Sequence, residues 1–341
     1  MERLLRVCVF MIMAAFALLL VAASPGIARD GGATALRAFL LDARWKGLLR
    51  SLPTLDVDAQ GYVGLNRGGA MRFPELQAVG GTIVTRGLLN KRQNWREQGW
   101  RILDAGMVKM QADGRLAGNG RDLVHSSSFL LQALGSALLV DPSEASPERK
   151  SRFLKAVRYL AAQPALAEAR DMTRRFTHRA FLWSLMFGVA AELEPEEANW
   201  AALAREFMNS GINAQTAEGV FPEAGGFDAL YQDIGVDFLL KASALTSNAE
   251  DYARQQWAAV RALAVLVSRV NERGRLDVSG STRVLNEKTR SGQSKRLSHW
   301  QAAEPFYGAW VSSEDSFFLN VAQRVMRCDL ACQSGQPKPV D

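Results

Sequence analysis

Cysteine and histidine are both scarce in this chain, which has three of each in 341 residues. Cys328 and Cys332 stand near the C-terminus with no histidine beside them, so a zinc site built from thiolates and imidazoles lacks its ligands. In an oxidising compartment the two cysteines are expected to form a disulfide, with free thiols as the alternative. No metal ion and no other cofactor is expected.

The signature motifs of several large enzyme classes are missing as well. The sequence contains no HExxH zinc motif, no GxSxG nucleophile elbow and no P-loop. Glycines are scattered over 114–120, but no predicted strand precedes them, so a dinucleotide site is not expected there.

Blocks of basic residues are also absent, although the formal net charge is +6. Without a cluster of Lys and Arg, nucleic acid is not an expected partner, and the modest positive excess slightly favours an anionic one. No apolar run after residue 28 looks long enough to cross a bilayer, so no membrane span is expected in the rest of the chain.

The first 28 residues have the layout of a secretory signal peptide. Arg3 and Arg6 precede an uncharged apolar run over 7–23, and small residues follow it. Cleavage is expected after Ala28, with Ala23 as the second choice and an uncleaved anchor as the alternative. The mature protein is therefore expected to be periplasmic or secreted.

Residues 29–327 are predicted to form one helical domain, and 328–341 a tail that carries the cysteine pair. A hydrophobic content of 48% with 8 Trp and 16 Phe is ample for a core. Apolar residues recur at three- and four-residue spacing and predict helices over 70–84, 94–110, 126–139, 147–162, 178–192, 198–212, 228–245, 252–270 and 316–327. Strand-like alternation is limited to short pieces at 220–222 and 275–278.

Three of these helices end in the same pattern, a polar residue followed by a glycine and then an apolar residue two positions on. The glycines are Gly114, Gly219 and Gly274. The 105 residues between the first two are close to twice the 55 between the last two, so a further stop is expected near 163–169, where the predicted helix breaks. A repeat of about 53 residues indicates an array of helical hairpins. The sequence therefore predicts an all-α fold, an incomplete or complete (α/α)6 toroid, with an irregular helical domain as the alternative.

The segment 218–235, EGVFPEAGGFDALYQDIG, resembles the glycine-rich loop and following helix of α/α-toroid polysaccharide lyases. Two further stretches, 175–180 (RFTHRA) and 281–295 with its Ser-Thr-Arg and Gly-Gln-Ser-Lys, are similar to segments of the same group, which includes alginate, chondroitin and heparin lyases. The resemblance covers about residues 70–325 and extends to the related six-hairpin glycosidases. This chain departs from the pattern at Thr177, where many such lyases have asparagine beside the histidine.

The resemblance implies a lyase that cleaves an acidic sugar chain by β-elimination. Such a reaction needs a group that neutralises the uronate carboxylate, a base that removes the C5 proton and an acid that protonates the leaving oxygen. The residues expected to be catalytic are Tyr231, His178, Arg179 and Gln232. Those expected to bind substrate are Arg175, Glu223, Asp228, Arg283 and Trp300.

Several of these residues also have a purely structural interpretation. Tyr231 and His178 could pack at the beginnings of their helices, and Asp228 stands where a helix N-cap belongs. His125, next to a cluster of serines, is expected to be structural, whereas His299 could line a sugar subsite.

Two alternative functions remain open at this point. A glycoside hydrolase needs two carboxylates that flank the bond, which Glu223 with Asp228, or Asp228 with Asp233, could supply. A non-catalytic protein that binds exopolysaccharide during export or assembly is the third possibility. In all three cases the expected partner is a polysaccharide, and for the lyase an anionic one.

Overall fold

The computed structural model describes residues 32–52, 55–68, 70–118 and 122–332, with side chains as far as Cys328. The predicted signal peptide and most of the predicted tail lie outside these residues. Cys328 is buried and disulfide-bonded, and both other cysteines, Cys8 and Cys332, lie outside the described side chains.

The described part of the chain is all-α, as predicted. The helices are α1 Ala33–Leu40, α2 Val79–Leu89, α3 Gln93–Met107, α4 Leu123–Val140, α5 Pro147–Ala161, α6 Ala165–Arg175, α7 Thr177–Leu193, α8 Ala198–Asn213, α9 Ala229–Ala244, α10 Ala249–Val267, α11 His299–Ser313 and α12 Ser316–Cys332. Short 3₁₀ helices span Ala43–Gly47, Gly64–Asn66 and Pro74–Ala78. Within the same residues β-structure is limited to isolated bridges, two of which involve Glu223 and one Leu276.

Most helices pair as antiparallel neighbours in sequence, which makes five hairpins in the described residues: α2/α3, α4/α5, α7/α8, α9/α10 and α11/α12. The first helix of each hairpin contacts the first helix of the next, in the order α2, α4, α7, α9, α11. The 3₁₀ helix Ala43–Gly47 contacts both α11 and α2, at the two ends of this series. These contacts are those of side-by-side helical hairpins, and closure into a complete toroid stays a prediction.

The glycine stops form one recurring backbone turn. Gly114, Gly219 and Gly274 have φ values of 96°, 92° and 84°, in the left-handed region that favours glycine. They do not end the helices as predicted, because α3, α8 and α10 end earlier, at Met107, Asn213 and Val267. Gly61 has the same turn with φ 94°, which places a fourth member one repeat before Gly114. A Cβ atom at Gly61, Gly114 or Gly219 would lie 2.4–2.5 Å from a carbonyl oxygen of the helix behind it, so only glycine fits.

Two buried glutamines support this turn in different repeats. The side chain of Gln77 accepts a hydrogen bond from Val63 N (2.8 Å) and donates to Gly61 O (2.9 Å) and Ile102 O (2.8 Å). Gln232 makes the equivalent set of bonds, with Phe221 N (2.8 Å), Gly219 O (3.1 Å) and Ala262 O (3.2 Å). Each amide therefore ties a turn to two helices.

Some helix boundaries differ from those predicted. The predicted helix over 70–84 is a 3₁₀ turn that starts at Pro74 and continues as α2, because proline without an N–H fits the first position of a helix. The expected stop near 163–169 lies at the Gln163–Pro164 bond, after which the chain forms α6. Helices α1, α6 and α11 were not predicted.

Helix α4 corrects the expectation that no stretch after residue 28 could cross a membrane. By length and composition, Leu123–Val140 is apolar enough to do so. Most of its side chains are buried, and it contacts α1, α2, α5 and α7. A helix that is apolar on all sides is explained here by burial on all sides, since none of its residues is exposed.

Candidate functional site

The beginnings of α7 and α9 lie together because the glycine-rich loop 219–226 is bonded to the start of α7. Thr177 donates from its backbone N–H (3.3 Å) and from its hydroxyl (2.8 Å) to the carbonyl oxygen of Pro222. Ala224 N donates to Arg175 O (2.8 Å), and Phe176 and Glu223 form a β-bridge. This docking brings His178 and Glu223, which are 45 residues apart, into direct contact.

His178 and Glu223 form a buried pair at the centre of the site. One carboxylate oxygen of Glu223, Oε1, lies 2.8 Å from His178 Nδ1 and accepts the His178 backbone N–H at 2.9 Å. The other oxygen, Oε2, accepts from Arg283 Nη1 at 3.1 Å. His178 is 1% exposed and Glu223 0%. Glu223 therefore holds the imidazole in one orientation, and the opposite nitrogen, Nε2, has no hydrogen-bond partner in the described part of the chain.

Burial shifts the protonation of both groups toward their neutral forms. It lowers the pKa of His178 well below the usual value, and the nearby charges of Arg179 and Arg283 lower it further. Burial also raises the pKa of Glu223 to about 7, against the opposing effects of the His178 N–H and Arg283. At neutral pH His178 is an uncharged imidazole, so when Glu223 is ionised Nδ1–H donates to it and Nε2 carries a free lone pair.

Tyr231 packs against His178, one member of this pair. Its ring centroid lies 4.6 Å from that of His178, and the Arg283 guanidinium lies 3.7 Å above the tyrosine ring. Lys295 Nζ lies 2.5 Å from the tyrosine hydroxyl and also donates to Glu287. Burial raises the pKa of Tyr231, whereas the positive charges of Arg283 and Lys295 oppose that rise. The hydroxyl thus keeps its proton at neutral pH, next to two cations that would stabilise a phenolate.

Glu287 is the acidic partner of these two cations. Arg283 donates to it from Nε (2.7 Å) and Nη2 (3.2 Å), and Lys295 bonds to it as well. Partial burial opposes ionisation, but these hydrogen bonds outweigh it and lower the pKa of Glu287 to about 2. Glu287 is therefore a fixed anion rather than a proton donor.

Arg179 is a buried cation whose hydrogen-bonding capacity is largely unused. The residue is 4% exposed, its Nη1 lies 3.4 Å from Asp122 Oδ1, and its Nε has no partner among the described residues. His125 Nδ1, on the neighbouring helix start, is unpartnered as well, and the His125 ring meets that of His178 edge-on at 5.9 Å. Unsatisfied buried polar atoms are rare, and three of them occur on adjacent side chains here.

The structure brings five of the predicted site residues together, namely His178, Arg179, Tyr231, Glu223 and Arg283. Arg175 is exposed and stands over the Phe176 ring at 5.5 Å. Trp300 packs near Arg86, and no contact in the described residues joins it to His178.

Two other predicted site residues have structural positions. Asp228 is fully buried and caps α9. Its Oδ1 accepts the backbone N–H groups of Leu230 and Tyr231, and its Oδ2 those of Arg283 and Val284. Gln232 is fully buried, and its amide makes the turn-supporting bonds described above. Neither side chain has a free group to offer a substrate.

Sequence reasoning missed Glu287, Lys295 and Asp122. Glu287 stands four positions after Arg283, the spacing at which charged side chains pair, and Lys295 lies in the stretch that carries the family resemblance. Asp122 precedes the start of α4 and carries no comparable local signal.

No group of three or more His, Cys, Asp or Glu that could hold a metal ion occurs in the described part of the chain. A cavity of about 70 Å³ lies elsewhere, between α2, α4, α9 and α11. Its polar lining includes Thr82, Gln132, Ser136, Lys241 and Glu304, and Lys241 is bonded to Asp237 (2.5 Å) and Glu304 (3.3 Å). None of the residues at His178 lines it.

No protein-family model matches the chain, and no curated protein matches it. Among solved structures the chain is similar to a protein described as a polysaccharide lyase, with 13% sequence identity and a TM-score of 0.49. The similarity covers 86% of this chain and 46% of the other, so the chain spans less than half the length of the matched protein. At this score and identity the match does not establish a common fold.

Proposed function

We propose that this protein is a lyase that cleaves a uronate-containing polysaccharide by β-elimination at the site around His178. The observation that carries the proposal is the buried Arg179 guanidinium, with an unpartnered N–H, beside a neutral histidine whose Nε2 is free. A buried cation that lacks a close partner favours an incoming anion, and a neutral imidazole favours proton abstraction.

Arg179 is the group we assign to the uronate carboxylate. The family pattern has an asparagine where this chain has Thr177, and the Thr177 hydroxyl is occupied by Pro222 O. A guanidinium two positions later supplies stronger, charge-assisted hydrogen bonds to a carboxylate than an amide would. Ring contacts of His178 with His125 and Tyr231 bring the start of α7 beside those of α4 and α9, and the partial positive charges of these helix starts also favour an anion.

His178 is the base in this proposal. With Nδ1–H donated to Glu223, the Nε2 lone pair takes the proton from C5 of the uronate, whose acidity rises because Arg179 neutralises the adjacent carboxylate. The electron pair of the broken C5–H bond forms the C4=C5 double bond, and the C4–O bond to the leaving sugar breaks.

Tyr231 is the acid that completes the reaction. Its hydroxyl donates a proton to the leaving oxygen, and the resulting phenolate is stabilised by Lys295 Nζ at 2.5 Å and by the guanidinium of Arg283 over its ring. Lys295 and Arg283 are held for this purpose by Glu287. The base and the acid are thus different residues in ring contact.

The geometry gives less support to a hydrolase. Glu223 has both oxygens engaged by His178 and Arg283, and Asp228 has both engaged by backbone N–H groups. A glycosidase needs one carboxylic acid and one carboxylate that reach the sugar from opposite sides of the bond. Asp233 is buried in the interior, with burial and the nearby Glu304 raising its pKa well above the usual range.

The test is the ultraviolet absorbance of purified protein mixed with alginate, pectate, hyaluronan, chondroitin and bacterial exopolysaccharides. Elimination leaves a double bond conjugated to the carboxylate, so absorbance is expected to rise on at least one uronate polymer. New reducing ends without an absorbance change would replace the lyase with a hydrolase. Binding with neither signal would indicate the export or assembly protein.

A further inference from the structure

The segment 287–295 crosses from one side of the site to the other. It is a short hairpin, in which Lys288 and Ser294 form a β-bridge and Thr289 N donates to Gln293 O (2.7 Å). Its two base residues, Glu287 and Lys295, bond to the Tyr231 side. Its tip reaches α4 and the 3₁₀ helix Pro74–Ala78 through Arg290.

Arg290 is the contact that holds the tip. Its Nε lies 2.8 Å from Glu75 Oε1, its Nη2 lies 3.6 Å from Asp122 Oδ2, and its guanidinium stands 5.0 Å from the Phe73 ring. Every residue from 288 to 294 is exposed, so no buried side chain anchors the tip. The Arg290 side chain is itself 42% exposed, and ion pairs of that kind are individually weak.

The catalytic groups of the proposed function lie between the base and the tip of this hairpin. Tyr231 at the base contacts His178, His178 contacts His125, and His125 stands one helical turn from Asp122 at the tip. His178 is 1% exposed, although its Nε2 has no protein partner. A sugar chain therefore cannot reach Nε2 in this structure without a movement of the residues around it.

We infer that the 287–295 hairpin is a gate over His178, closed by the ion pairs of Arg290 with Glu75 and Asp122, and that it opens to admit an anionic chain. Asp122 is shared between Arg290 and Arg179, with Oδ2 toward one and Oδ1 toward the other. A carboxylate that binds Arg179 would compete with Asp122 for that guanidinium, so substrate binding and the closing contact involve the same aspartate. The identity of the incoming chain rests on the proposed function, whereas the existence of the gate does not.

The gate is tested without any substrate by the rate at which diethyl pyrocarbonate modifies His178, measured by mass spectrometry of the peptide. Arg290→Ala removes both ion pairs and the contact with Phe73, so the rate is expected to rise on the order of 10-fold. The matched control is Arg296→Ala, which removes an exposed arginine nearby that forms no ion pair in the described residues. His299 in the same digests serves as the internal reference.

A second variant tests the gate independently, in case Arg290→Ala disturbs folding. Glu75→Gln retains an acceptor for Ser126 but removes the charge that Arg290 meets, and it is expected to raise the His178 rate as well. Salt at about 1 M should raise the wild-type rate toward that of the variants, because it screens partly exposed ion pairs. Equal His178 rates in wild type, Arg290→Ala and Glu75→Gln would overturn the gate, whatever the absorbance assay shows for the lyase.

Discussion

Glu223 has no exposed surface, yet its charge state decides how the neighbouring imidazole behaves. As a carboxylate it accepts from His178 Nδ1 and leaves Nε2 as a lone pair, whereas as a carboxylic acid it can donate its O–H to Nδ1, which moves the imidazole proton to Nε2. Its position between a histidine and an arginine is typical of a residue that positions others rather than one that touches substrate.

The first prediction concerns pH. Because burial raises the pKa of Glu223 to about 7, the acid is protonated below that pH in the folded protein, and kcat/KM is expected to fall about tenfold per pH unit on the acidic side. Glu223→Gln should flatten this acidic limb, since an amide oxygen accepts from Nδ1–H at every pH. An acidic limb of unchanged midpoint in Glu223→Gln would show that another group is responsible.

The same shift has a consequence for stability. The folded state holds the Glu223 proton more tightly than the unfolded chain, whose pKa is near 4.5. The contribution of this group to the free energy of unfolding is therefore largest below pH 4.5 and declines as the pH rises from there to about 7. This direction is opposite to that of a salt-bridged carboxylate with a lowered pKa.

The second prediction concerns Arg179. Arg179→Gln keeps a hydrogen-bond donor but removes the charge that would neutralise the uronate, so kcat/KM is expected to fall about 100-fold or more. Arg175→Gln is the matched control, because Arg175 is an exposed arginine whose guanidinium stands over the same Phe176 ring, at 5.5 Å from its centroid. Steady-state rates of absorbance change measure both. Equal losses in the two variants would contradict the role given to Arg179.

The residues of the site were predictable only in part. Local motifs singled out His178, Tyr231 and Glu223, which stand at helix starts or in the glycine-rich loop, and Arg283, which lies in the stretch 281–295. Gln232 was chosen by its position beside Tyr231, but successive residues on a helix point in different directions, and this one faces the turn behind it. Asp122 depends on how hairpins that are distant in sequence meet, which no local pattern records.

At the scale of secondary structure, the glutamine-supported turn is the element that holds the glycine-rich loop in place. Gln232 bonds to Phe221 N and Gly219 O within the glycine-rich loop 219–226, which carries Glu223. Gln77 does the same for the turn at Gly61, which lies in a different repeat. The same contact between a glutamine and a turn thus stabilises a hairpin in one repeat and positions the Glu223 carboxylate in another.

The third prediction distinguishes the structural role of Gln77 from the additional role of Gln232 at the site. Gln232→Ala and Gln77→Ala each leave buried backbone groups unpaired, so each is expected to lower the free energy of unfolding by about 2–4 kcal/mol, measured by urea denaturation. Only Gln232→Ala should also reduce activity, because it loosens the loop that carries Glu223. Full activity in Gln232→Ala at a temperature where it stays folded would show that the loop needs no such support.

Helices with regular apolar spacing were predictable, and those with conflicting local signals were not. Helix α11 contains Pro305, which normally marks a helix end, yet it continues to Ser313 because its buried residues pack against α9 and α12. Helix α6 is short and strongly polar, and it begins directly after Pro164. Tertiary packing, rather than intrinsic helix propensity, determines whether such segments are helical.

At the scale of the whole molecule, the repeat places the starts of α4, α7 and α9 at one end. The three glycines Gly114, Gly219 and Gly274 were sufficient to predict a hairpin array from the sequence, and Gly61 extends the same turn. The repeat length of about 53 residues could not predict that the described residues contain five hairpins rather than about six. The reason is that α1 and Ala43–Gly47 pack against the series without forming a hairpin.

This arrangement accounts for the chemistry proposed here. Helix starts supply N-cap positions and partial positive charge, and the loops that precede them supply Asp122, Phe176 and Asp228. The long connection between α10 and α11 returns over this end and provides Arg283, Glu287 and Lys295. One end of the molecule thus holds the neutral imidazole of His178, the Tyr231 phenol beside two cations, and the Arg179 guanidinium, whose Nε has no partner among the described residues.

The central claim is that His178 removes a proton in an elimination reaction, and the most direct measurement compares wild type with His178→Gln. Both are assayed by the initial rate of ultraviolet absorbance on the polysaccharide that wild type cleaves best. Glutamine keeps a hydrogen bond to Glu223 but offers no basic nitrogen, so the rate is expected to fall by about 10²–10⁴-fold with the fold intact by circular dichroism. A folded His178→Gln protein that eliminates at the wild-type rate would contradict the account.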